Sequence, residues 1–193
     1  LFPYTTLFRS SLLFAKSLKK LISAKAVVFS IHDQITNDFQ RNMLVRLLHK
    51  VDLIFTSGED TKDFLSKFHR NVICGASGIE EDFFREGDVK NSMGKSIITV
   101  ANLVPKKNIE LVIAIAKLMP NYSFNIVGSG PLLEKLKSSA QDFENVYFHG
   151  RKNIKEVVDL MDQSSIFLLT SNFEGTPTSV LEACARGLPI VTS

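Results

Sequence analysis

The sequence predicts an α/β protein made of two doubly wound parallel-sheet domains, the first incomplete and the second cut short at its carboxyl end. Short β-branched apolar runs alternate with segments of helical period, which is the pattern of repeated strand–helix units. Strands this apolar belong in parallel sheets covered on both faces. The alternation stops once, over 76–95, where ASGIEEDFFREGDVKNSMGK is polar, glycine-bearing and without period. Hydrophobic residues make up 45% of the 193, enough for one large core or parts of two.

The elements follow in order. The first ten residues, LFPYTTLFRS, match the translation of a widely used sequencing adapter, so 1–10 is read as a scar and set aside. SLLFAKSLKKLISAK carries Phe14, Leu18, Leu21 and Ile22 at helical spacing with lysines between them. Such a basic amphipathic helix either covers a sheet face or touches an anionic membrane surface. AVVFSI is a buried strand, NDFQRNMLVRLLHK a helix, VDLIFTS a strand, TKDFLSKF a helix and NVICG a closing strand. Domain one thus runs over 11–75, a linker over 76–95 and domain two over 96–193. In domain two, strands SIITVAN, YSFNIVG, VYFHG, IFLLTS and PIVTS alternate with helices NIELVIAIAKLM, PLLEKLKSSA, IKEVVDLMDQ and one beginning after Thr176. No 20- to 50-residue period recurs, so a solenoid is excluded.

Net charge is only +3 and spread along the chain, which argues against a nucleic-acid binder. Cys74 and Cys184 lie far apart without metal-type spacing and read as reduced, core or near-core thiols of a cytoplasmic protein. No apolar run reaches the roughly 20 residues of a membrane-spanning helix.

The most informative segment is FEGTPTSVLEACARGLPIVTS. Thr176 is placed to cap a helix whose first turn holds Pro177. The free N–H groups near Thr178, Ser179 and Val180 would then form an anion seat at a positive helix end. Glu174 and Glu182 stand on either side of it. Two acids around an anion seat suit a ligand with hydroxyls at both ends and phosphates in the middle, a nucleotide sugar. Glu182, about 9 Å along the axis from the cap, would accept hydrogen bonds from ribose hydroxyls. The plainer alternative pairs Glu182 with Arg186 one turn later and leaves Glu174 a loop acid.

Other candidates lie at the carboxyl ends of strands, where ligands bind in such sheets. In ANLVPKKN, Lys107 reaches a phosphate or is a solvated surface lysine beside Lys106. Arg151 and Lys152 follow VYFHG and fit contact with a base or phosphate. His32 and Asp33 end AVVFSI; His32 is a candidate substrate contact, but neighbours on a strand face opposite ways and form no dyad. GSGP, Gly128 to Pro131, sits where a dinucleotide fold carries its phosphate turn, yet Leu133 occupies the third glycine position. It reads as a tight turn before a proline-started helix.

Together these residues resemble the family-four retaining glycosyltransferases of the GT-B fold, which pairs two Rossmann-like domains. The resemblance covers about Ala26 to Ser193 and is strongest from Ile97. FEGTPTSVLEACARGLPIVTS is similar to the family's glutamates separated by seven residues, followed by a small-residue helix and G-x-P. NVICGASGIEEDFF resembles its interdomain strand and G-I-x-x-x-F linker; VANLVPKKN and FNIVGSGPLLEKL resemble its nucleotide-half strands.

The resemblance implies a hexosyltransferase-type enzyme that draws on a nucleotide-diphosphate sugar as co-substrate, with no cofactor and no metal. It implies a carbohydrate or lipid-linked acceptor and polysaccharide or glycolipid synthesis; the thiols place the protein in the cytoplasm, with peripheral membrane contact through 11–25 as the open alternative. Glu174 would hold the donor sugar, with Gly175 beside it. Glu182 would hold the ribose, the backbone at Thr178 to Val180 the diphosphate, and Lys107 would offset charge on the leaving nucleotide. Arg151 and Asn102 complete the expected donor contacts. One departure stands out: many members carry Gly-Arg where this chain has Ala101-Asn102, and asparagine cannot supply the missing charge, a contact worth roughly 1.5–3 kcal/mol. With the expected opening of domain one and the continuation after Ser193 missing, the fragment itself is expected to be inactive and its parent active. Asn102 also motivates a second reading, a non-catalytic sugar-nucleotide-binding or partner-binding module. A nicotinamide-dependent dehydrogenase is disfavoured by Leu133.

Overall fold

The computed structural model describes residues 26–31, 38–75, 78–85, 94–174 and 176–193. The chain divides into two compact units, Leu1–Ser77 with Glu174–Thr176, and Gly78–Phe173 with Pro177–Ser193. Among the described residues the expected α/β alternation is present throughout.

In the first unit, strands β1 (Val28–Ile31), β2 (Leu53–Thr56) and β3 (Val72–Cys74) form an all-parallel sheet in sequence order. Helices α1 (Asp38–Leu47) and α2 (Glu59–Ser66) make the crossovers. Phe29 and Ile54 alternate onto one face and meet Leu44 and Leu47 of α1, Leu48, Val51, and Leu65 of α2. Period-two strands against period-3.6 helices thus account for this core. The basic segment 11–25 and His32 lie outside the described residues.

The second unit holds a five-stranded parallel sheet of β4 (Ser96–Val100), β5 (Ser123–Val127), β6 (Val146–Gly150), β7 (Ile166–Leu169) and β8 (Ile190–Thr192), in the order β6-β5-β4-β7-β8. Its helices are α3 (Ile109–Leu118), α4 (Leu133–Ser139), α5 (Ile154–Asp162) and α6 (Thr178–Ala185). Ile97, Phe124, Ile126 and Leu168 pack on one face with Val112, Ile113, Ala116 and Leu136 from α3 and α4. Ile98, Val127, Phe167 and Leu169 pack on the other with Val157 and Met161 of α5 and Ala183 of α6. This unit is doubly wound, as its sequence predicts.

The stretch read as linker contributes a short 3-10 turn, Glu81–Phe83, to the second unit, and Phe83 is buried in the α5/α6 core. Asn153 and Glu156 form a reciprocal capping box at the start of α5. At the amino end of the sheet, Asn145 Nδ2 donates to the carbonyls of Ala116, Met119 and Tyr122 at 3.1, 3.2 and 2.9 Å. The carboxyl end is built differently, and the candidate residues of this unit gather there.

Candidate functional site

The strand order reverses between β4 and β7. In an open parallel sheet that reversal opens a crevice beyond the carboxyl ends of the strands. The loop after β4, residues 101–108, forms one wall. Residues 170–173 after β7 and the start of α6 lie on the other side.

The β4 loop is held by backbone pairing to the β5 loop. Ala101 N–H donates to Val127 O at 3.0 Å and Leu103 N–H to Ser129 O at 2.9 Å. This closeness requires glycine at Gly128 and Gly130. A Cβ on Gly128 would lie 1.9 Å from the Ala101 carbonyl oxygen, and one on Gly130 would lie 2.5 Å from that of Leu103. GSGP is therefore a close-packing turn. Between the two pinned residues, Asn102 is exposed at the loop surface.

Lys107 ends a 3-10 turn, Pro105–Lys107, and Asn108 takes the left-handed conformation that starts α3. Thr170, buried at the end of β7, donates its hydroxyl to the carbonyls of Lys107 at 3.1 Å and Asn108 at 3.0 Å. Asn172 N–H donates to Lys106 O at 2.8 Å. Lys106 Nζ stands 5.8 Å from the centre of the Phe173 ring. The two walls of the crevice are thus tied together, and Lys107 has a fixed backbone from which to reach. Sequence reasoning missed Thr170; its signal was a hydroxyl at the last inward position of an apolar strand. Replacing Thr170 with valine keeps the shape and removes the donor. It is expected to lower unfolding free energy by about 1–3 kcal/mol in urea titration; a loss under roughly 0.5 kcal/mol would show that the tie is not needed. Ser171, next in the chain, has a buried hydroxyl without a partner among the described residues.

The start of α6 differs in detail from the expectation. Thr176 does not cap it: its hydroxyl donates to the Ser57 carbonyl, and residues Glu174–Thr176 cluster with the first unit. Pro177 occupies the cap position, the helix begins at Thr178, and no side chain caps it. A proline has neither N–H nor polar side chain, so it leaves this end open. Val180 N–H is the first to find a carbonyl, that of Pro177 at 3.0 Å. The N–H groups of Thr178 and Ser179 lie ahead of it, where an uncapped helix presents partial positive charge.

Glu182 is half-buried one turn further on. Burial pushes its carboxyl above the ordinary range. The plainer alternative for this residue, a pair with Arg186, does not form. Arg186 turns instead to Asp162, with Nε 2.9 Å from Oδ1 and Nη2 against Oδ2. Arg151 is exposed just beyond β6, two strands from β4 in the sheet. Its neighbour Lys152 is held by Glu156 at 2.7 Å, and burial, with a smaller effect from Lys152, depresses the imidazole of His149.

The topology therefore places Lys107 and Asn102 on the loop after β4, and Thr178, Ser179, Val180 and Glu182 on the helix that follows the neighbouring strand β7. Arg151 stands further along the same sheet edge. Glu174 sits with the first unit. Gly175 and His32 lie outside the described residues. Cys184 is exposed on α6, contrary to the core or near-core reading. Among the described residues no three His, Cys, Asp or Glu side chains are grouped to hold a metal, and no helix is long and apolar enough to cross a membrane.

The five-stranded parallel sheet with its strand reversal, helices on both faces and a second parallel-sheet unit before it define a GT-B-type α/β fold. The solved structure of Anabaena Alr3699/HepE in complex with UDP-glucose superposes with a TM-score of 0.77 at 16% identity, over 95% of this chain and 57% of that one. Residues 80–193 match the model of glycosyl transferases group 1, and the chain belongs to that family. An uncharacterized glycosyltransferase of Haemophilus influenzae is 34% identical over 80% of this chain and 47% of its own length. The O-antigen biosynthesis glycosyltransferase WbnH of Escherichia coli is 35% identical over 50% of this chain and 28% of its own. The chain thus spans about half the length of the first of these curated relatives, or less of the second.

Proposed function

We propose that the protein is a retaining glycosyltransferase that moves a sugar from a nucleotide-diphosphate donor to a carbohydrate or lipid-linked acceptor in surface-polysaccharide or glycolipid synthesis. The observation that carries this reading is the α6 start: N–H groups on Thr178 and Ser179 without a partner among the described residues, with the half-buried Glu182 carboxylate, paired there with no cation, one turn behind. An anion seat alone suits any phosphate. An acid behind it, raised by burial and paired with no cation, suits a polyol joined to that phosphate. The WbnH relative acts in O-antigen synthesis by name, and the HepE structure holds UDP-glucose.

In this reading the helix start seats the diphosphate and Glu182 accepts bonds from ribose hydroxyls. Lys107 and Arg151 offset phosphate charge, and Glu174 with Gly175 holds the donor sugar. Negative charge grows on the leaving diphosphate as the glycosidic bond breaks. The fixed N–H groups and Lys107 stabilise that charge without reorganising, which is where rate is gained. No cofactor or metal takes part, and the protein works in the cytoplasm at the membrane periphery.

The test is a transfer and hydrolysis assay of the full-length parent protein with UDP-, GDP- and ADP-sugars, with the product anomer read by NMR. Lys107→Ala is expected to lower kcat/KM by about 10- to 100-fold, the value of one charge-assisted phosphate contact. If Glu174→Gln and Glu182→Gln both leave turnover unchanged, the assignment fails. Asn102 favours one second reading, a sugar-nucleotide-binding module without catalysis; tight diphosphate binding with no turnover would select it.

A further inference from the structure

Asp162 is the last residue of α5, where the helix dipole disfavours a carboxylate. A residue that opposes its own helix points to a tertiary role. Two guanidinium groups supply one. Arg186, the residue that ends α6, approaches both carboxylate oxygens side-on, and Arg85 Nη1 stands 3.9 Å from Oδ1. The Arg186 side chain is only 10% exposed and that of Asp162 34%, so the pair is shielded enough to hold its geometry. Arg186 Nη1 also reaches within 3.5 Å of the Phe84 carbonyl, next to the buried Phe83.

Arg186 is four residues beyond Glu182, the spacing at which a helix pairs an acid with a base. Released from Asp162, its guanidinium would meet a half-buried carboxylate that pairs with no cation among the described residues. We infer that Asp162 is a positioning residue for the candidate donor seat: by holding Arg186 against Asp162 and the Phe84 carbonyl, it keeps that cation off Glu182 and leaves the Glu182 carboxylate open to a ligand. The inference rests on the nucleotide-sugar reading of α6.

The experiment compares the unaltered chain with Asp162→Asn, Asp162→Glu, Arg186→Met and the Asp162→Asn/Arg186→Met double variant. UDP and GDP are the calorimetric probes. Asp162→Asn is expected to bind the preferred nucleotide about ten-fold more weakly, the loss of one charge-assisted contact. Asp162→Glu recovers most of that affinity. The double variant recovers it too, because no cation is left to occupy Glu182. A double variant as weak as Asp162→Asn would mean general damage and overturn the inference. Should Asp162→Asn fail to fold, Arg186→Met decides alone, since it is expected to bind within about two-fold of the unaltered chain. Titration of the Glu182 carboxyl by carbon-13 NMR needs no nucleotide. It moves down in Asp162→Asn when Arg186 swings across, and an unchanged titration overturns the inference. If the unaltered chain binds neither nucleotide, the functional reading falls while the titration still decides the role of Asp162.

Discussion

Replacing Gly128 with alanine is expected to remove most of the stability of the second unit, a loss of about 4 kcal/mol or more against a typical total of roughly 5–15. Two effects add. The backbone at Gly128 has φ 139°, a conformation that side chains with a Cβ rarely adopt. The new Cβ would also sit 1.9 Å from the Ala101 carbonyl oxygen. That atom is backbone, so relief means parting the β4 and β5 loops and breaking the Ala101–Val127 hydrogen bond. Gly150 is the control. It too has a positive φ, 68°, but nothing lies within 4 Å of its Cβ position. Gly150→Ala is expected to cost only the left-handed penalty of about 1–2 kcal/mol. Urea titration followed by circular dichroism measures both. Equal losses at the two positions would show that close approach at Gly128 is not what the sequence is protecting.

Glu182→Gln is expected to weaken nucleotide-sugar binding by about 10- to 100-fold, the value of a charged acceptor on ligand hydroxyls, while making the free protein more stable. The sign follows from burial. The folded carboxyl titrates above its unfolded range, so between those two values the folded state binds more protons. The stabilising contribution is fully present below the unfolded value and is lost as pH rises through the folded one. Above the folded value the residue is a partly desolvated charge. Glutamine removes that charge and is expected to raise the melting temperature at pH 7. On acidification the gap between the two proteins narrows. A variant that melts lower at pH 7, or a gap that widens towards acid, would refute the account.

The order and type of the elements were legible because parallel sheets demand runs such as SIITV and IFLL, and their crossovers demand helices of 3.6 period. Several placements needed three dimensions. Thr176 looks like a cap by type and position, but its hydroxyl answers the Ser57 carbonyl 119 residues earlier, a distance no local rule spans. Glu182 and Arg186 have the spacing of a pair, yet Asp162 wins the arginine because it offers both oxygens in a sheltered place. The missing third glycine of GSGP pointed to a tight turn, and the structure has one there. The purpose of its two glycines, room for the neighbouring loop, shows only when β4 and β5 lie side by side. Thr170 carried no motif at all, since a threonine in an apolar strand reads as a strand former.

The stitching of the β4 loop to the β7 loop restricts how this protein can change. Thr170 and Asn172 between them bind the carbonyls of Lys106, Lys107 and Asn108. Every acceptor in that tie is a main-chain carbonyl and the Asn172 donor is a main-chain N–H, so side chains along 106–108 can vary while the tie persists. The hydroxyl at Thr170 is the one side-chain group it depends on, so that position tolerates serine better than valine.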